Sequence, residues 1–174
     1  MYSQPNSHID HGEHTAAIAF QIATQAGHVE YSRLSSAMCW DAMLRCAWLA
    51  NGVNCTDLDF ACRSGGCSFS IISSANYDRV FDAETQNITS VAQMLDTVMP
   101  GSFIGFVRPT NMLGHAMIYT RDGYGAGNKN DCVFASGSPY GWEIIDLRKF
   151  FEEDAAGNPG TRMIARAVEC QVII

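Results

Sequence analysis

Apolar positions recur at helical spacing in the first half of this chain and switch to strand-like runs after Pro100-Gly101. In 13–26, EHTAAIAFQIATQA, residues Ala17, Phe20, Ile22 and Ala23 fall near one face, and Gly27 follows as a stop. A second helix is predicted from the serine pair Ser35-Ser36, either of which can cap it, to Ala50 before the Asn51-Gly52 turn. Trp40, Met43, Leu44, Ala47 and Trp48 form its apolar stripe, and core packing accounts for them. The stretch 54–78 is rich in Ser, Gly and Cys and breaks the pattern, with one strand expected at 68–72. A third helix is expected over 90–98, capped by Thr89 or Ser90, with Val91, Leu95 and Val98 on its apolar side.

Strands are then predicted at 103–107, 115–120, 132–136 and 142–147, with an apolar strand candidate inside 163–174. Gly- and Asn-rich turns separate them, notably RDGYGAGNKND. Residues 1–12 read as a loose tail, and 13–174 as one α+β domain, helices first and antiparallel strands after.

Composition narrows the classes of function. The chain has 174 residues, 47% of them hydrophobic, which is ample for a single core. A net charge of −7 with no run of Lys or Arg speaks against a nucleic-acid partner, which would need a basic stripe. No apolar stretch approaches the roughly 20 residues that span a bilayer, so no membrane partner is expected. The polar start MYSQPNSHIDHGEH lacks the features of a signal peptide. The expectation is synthesis in the cytoplasm, with any export by a specialised system that reads no such signal.

Seven cysteines leave at least one outside any intramolecular pair. Cys55, Cys62 and Cys67 crowd NCTDLDFACRSGGC, where a disulfide could form in an oxidising compartment, although buried free thiols are the ordinary reading. The close ligand pairs of a zinc site are missing, and His8, His11 and His14 lie in the polar N-terminal segment. No metal and no other cofactor is expected.

The candidate chemistry rests on Cys39 and His115. Cys39 falls in the first turn of the second predicted helix, where free backbone N–H groups and the macrodipole favour a thiolate. The same N–H groups can hold an oxyanion. A buried cysteine filling space beside Trp40 and Trp48 is the plain alternative. His115 follows Gly114 and opens the strand HAMIYT, a place from which a neighbouring strand could aim a general base at the thiol. A third group that orients the imidazole should come from the next antiparallel strand, CVFASGS, or its entrance, where Asp131 and Ser136 are equal candidates. Asp41 favours the helix start electrostatically and equally opposes a thiolate.

These segments resemble the NlpC-type cysteine peptidases of the papain-like superfamily. The points of likeness are Pro100-Gly101 before an apolar strand, Gly114-His115 opening a strand, and Val133-Phe134-Ala135-Ser136. In the first half, Cys39 opens a helix that ends at Asn51-Gly52-Val53. The likeness spans roughly 30–147, and 54–88 has no counterpart in it. It implies a papain-like fold with the nucleophile helix packed on an antiparallel sheet. It implies Cys39 as nucleophile, His115 as base, and Tyr31 as an aid to the oxyanion region. Two departures stand out. Met38-Cys39-Trp40-Asp41 replaces Asp-Cys-Ser-Gly, with the bulky Trp40 reshaping the cleft, and the family's third polar position falls on Phe134.

The resemblance implies amide hydrolysis in bacterial peptidoglycan stem peptides, as by a secreted antibacterial effector or a lysin, with an immunity or inhibitor protein as a further partner. A second reading keeps the chemistry and makes the substrate a target-cell protein that is cleaved or deamidated. A third is a catalytically inactive binding module of the same fold.

Overall fold

The computed structural model describes residues 10–67, 69, 72–128, 141–154, 159–168 and 171–174. Helix α1 (His11–Thr24) starts two residues before its predicted bound, because the Asp10 carboxylate accepts the Glu13 N–H at 3.0 Å and caps it there. The predicted cap of the second helix is corrected: Ser35 and Ser36 close a separate short helix, α2 (Tyr31–Ser36). Helix α3 (Cys39–Leu49) begins only after Met38, which caps it with no side-chain bond. Asn51, at φ 57°, turns the chain after it.

Further along, Leu58 and Cys62 bury one side of a helix not foreseen in the sequence, α4 (Thr56–Arg63). Helix α5 (Val91–Thr97) is capped by Ser90, whose hydroxyl accepts the Gln93 N–H at 3.1 Å, as one of the two predicted caps would do. Among the described residues no helix is long and apolar enough to cross a membrane.

The strands are β1 (Val53–Asn54), β2 (Gln86–Ile88), β3 (Phe103–Val107), β4 (Leu113–Arg121), β5 (Tyr124–Asn128), β6 (Trp142–Asp146), β7 (Arg162–Arg166) and β8 (Val172–Ile173). Six of them form one antiparallel sheet in the order β2-β7-β3-β4-β5-β6, and β1 pairs with β8 in parallel. The protein is thus α+β, in keeping with the predicted class, with α1 to α4 ahead of the main sheet and α5 between its strands β2 and β3. The strand lying back against β4 is β5, formed by the stretch read as a turn. Asp122 (φ 53°) and Gly123 (φ 82°) make a two-residue hairpin between them. The predicted strands at 68–72 and 132–136 fall partly and wholly outside the described residues, respectively.

Alternation along the strands splits the core in two. Phe103, Val107, Ala116, Ile118, Ala126 and Ile164 pack with Trp40, Met43, Leu44 and Ala47 of α3. Ile104, Phe106, Met117, Tyr119, Met163 and Ala165 pack on the other face with Met94 of α5 and Phe150.

Candidate functional site

Cys39 is the first residue of α3 and lies half-buried at a cleft of about 280 Å³. Met38, Trp40, Asp41, Phe69, Ser73, Ser74, Leu113 and Gly114 line the cleft with it. Trp40 is buried, and its indole N–H donates to the Ile72 carbonyl at 2.7 Å, so it is fixed as a wall. The Asp41 carboxyl accepts the Phe69 N–H and is pushed up by burial.

Three backbone N–H groups act on the Cys39 sulfur, those of Ala116, Trp40 and Cys39 itself. They favour the thiolate, but burial is the larger influence, and the Asp41 charge adds to it. The net result raises the thiol above its ordinary range. A helix start therefore does not suffice to activate this cysteine, because desolvation outweighs the donors. Those donors are nonetheless backbone N–H groups of the kind that can hold an oxyanion on a carbonyl oxygen under attack. Cys46, deeper in α3, is fully buried and pushed above the range of any titration near neutrality.

His115 is completely buried in β4. It pairs with Phe106 across the ladder, and the two rings lie 6.1 Å apart. Burial first, and the Arg108 charge second, pull its imidazole down to about 4, so the ring is neutral at pH 7. Its side of the strand follows from alternation. Ala116 and Ile118 face α3, whereas Met117 and Tyr119 face α5 and Phe150. His115 shares the second side with its partner Phe106.

The structure thus brings the backbone of the His115 segment to Cys39, through the Ala116 N–H, while the imidazole sits on the opposite face of the sheet. A register shift between Phe106 and Val107 is responsible. Val107 pairs with Leu113 and Phe106 with His115, so Gly114 is the extra residue of a bulge. Leu113 then turns toward the cleft, and His115 turns away from it. A Cβ on Gly114 would lie 2.6 Å from Nε of Arg108, so the bulge needs glycine there or a displaced arginine.

Tyr31 is committed elsewhere: its hydroxyl donates to Glu143 of β6 at 2.5 Å, and the residue does not line the cleft. Asp131 and Ser136 lie outside the described residues, as does Phe134. Among the described residues no group of three His, Cys, Asp or Glu side chains could hold a metal ion.

Sequence reasoning passed over Asn128, the last residue of β5. It is 7% exposed and donates from Nδ2 to the carbonyls of Leu34 at 2.8 Å and Ala37 at 2.6 Å, just ahead of Cys39. The Asp122-Gly123 dipeptide was the available signal for its strand. The small residues Gly125, Ala126 and Gly127 gave no alternation to support it. No family model matches this chain, and neither a curated protein nor a solved structure does.

Proposed function

We propose that this chain is a cysteine hydrolase of papain-like design that cleaves an amide bond at the Cys39 cleft. The observation that carries the reading is the sulfur's setting. It stands at the first residue of a helix, on an open cleft, with the Ala116 and Trp40 N–H groups directed to it. In this reaction the sulfur attacks the carbonyl carbon as the thiol proton passes to a base. The C–N bond then breaks, the amine leaves with that proton, and water releases the acyl group. The resemblance makes His115 the base and peptidoglycan stem peptides the substrate class, with a target-cell protein as the alternative.

One observation favours a second reading, in which the same cleft binds a ligand without cleaving it. The imidazole shares the far face with Phe106, and burial keeps the thiol protonated. A base that acts on Cys39 must reach the α3 side of the sheet.

Digestion of purified bacterial sacculi by the wild type and by Cys39→Ala, with fragments identified by mass, tests the first reading. Stem-peptide fragments released by the wild type alone support a wall amidase and identify the bond. Absence of fragments from folded wild-type protein overturns the wall substrate. A Cys39 alkylation rate that is the same in His115→Ala overturns the dyad.

A further inference from the structure

On the α3 side of the sheet, Asn128, and not His115, is a polar side chain that reaches the segment leading into Cys39. The β4–β5 register pairs Ile118 with Ala126. Carried two residues further, it sets Asn128 opposite Ala116, the residue whose N–H meets the Cys39 sulfur. A Cβ on Gly127 would lie 2.6 Å from that of Met117, which shows that the strands stay in step to this point. Ala126 packs with the α3 cluster, so Asn128, two residues on, faces the same way.

Its bonds there are specific. The two carbonyls belong to the end of α2 and its cap: that of Leu34 also accepts the Ala37 N–H at 3.2 Å, and that of Ala37 lies at the helix terminus itself. Only Met38 separates Ala37 from Cys39. Asn128 therefore fastens the short link between α2 and α3 to the sheet. It does so at a cost, because its Oδ1 is buried without a hydrogen-bond partner among the described residues. An apolar side chain of the same size would avoid the unmet acceptor but would take the donor from both carbonyls, so what the amide secures is the link itself.

We infer that Asn128 is a positioning residue for Cys39, holding the α2–α3 link so that the sulfur stays seated against the Ala116 N–H at the cleft. This rests on the Cys39 cleft being the working site, and it is tested by a measurement that does not depend on hydrolysis.

Iodoacetamide alkylation of the full chain, followed residue by residue by peptide mass across pH 6 to 10, reads the seating of the thiol directly. In Asn128→Leu the link loosens and the sulfur gains solvent. Cys39 should then react at least about fivefold faster at pH 7.5, with its pH midpoint moving down toward that of an ordinary thiol. Cys46, buried in the same helix, should stay unreactive, which separates local loosening from general unfolding. Asn128→Ser, a smaller change that cannot span both carbonyls, should show the same direction. Wild-type rate and midpoint in the folded Asn128 variants overturn the inference. So does a rise at Cys46 in step with Cys39. If sacculi stay intact while the Asn128 variants shift Cys39 selectively, the wall substrate fails and the positioning role stands.

Discussion

The two faces of the main sheet are built from alternate residues of the same strands, yet they have different characters. The far face, with Ile104, Phe106, Met117, Tyr119 and Phe150, is closed and apolar, and His115 is held within it as a neutral ring. The α3 face has a comparable apolar core but is breached at one end by the cleft at Cys39. Polar and reactive groups gather at that breach: Asp41, Ser73, Ser74 and the thiol line it, and Asn128 braces the link behind it. A strand offers the same backbone to both faces, and what covers each face decides whether a side chain there meets solvent or stays dry.

The largest expected effect tests the closed face. Phe106 is fully buried, with its ring 4.6 Å from that of Phe150. Phe106→Ala should lower the unfolding free energy by about 3–5 kcal/mol in urea titration. If the two faces are independent, Cys39 alkylation in the folded variant should change little.

Next in size is the acid response of His115. Its folded value, about 4, lies below the ordinary 6.5, so the unfolded chain takes up the proton first as pH falls. Stability from this residue is therefore intact above pH 6.5 and lost progressively down to pH 4. By linkage the loss reaches about 3 kcal/mol. Urea midpoints measured from pH 7 to 4 should show that slope in the wild type and a shallower one in His115→Leu.

A smaller effect belongs to the cleft wall. Trp40→Phe removes the donor to the Ile72 carbonyl and should cost about 1–2 kcal/mol. It should also raise the rate of Cys39 alkylation, because the wall is then free to move; an unchanged rate would mean that Trp40 does not shape access to the thiol. The smallest is Tyr31→Phe, which removes the bond to Glu143 and should cost about 1 kcal/mol or less. Thiol reactivity should be unaffected. A large change would return Tyr31 to the oxyanion role that the family resemblance implies.

Elements with a strong local signal were legible. The helix that carries Cys39 announces itself by its apolar stripe, α5 by Ser90, and β3 and β6 by their apolar runs. Elements whose residues lack such a signal were not. Strand β5 consists of YGAGN and owes its place to the ladders on either side of it. Helix α2 has six residues and no side-chain cap bond, so it cannot stand without packing. For the site, the sequence pointed to Cys39 at a helix start, and the structure has it there. It offered no means of seeing Asn128, whose partners are more than 90 residues away.

The sequence by itself determined the α+β class and the thiol at the head of an amphipathic helix, because those follow from local periodicity. Tertiary structure alone decided which groups share the thiol's side. A one-residue bulge at Gly114 reverses the facing of everything beyond it, and burial then sets the proton affinity of each group by what covers it. Register is a relation between strands, and no single strand encodes it.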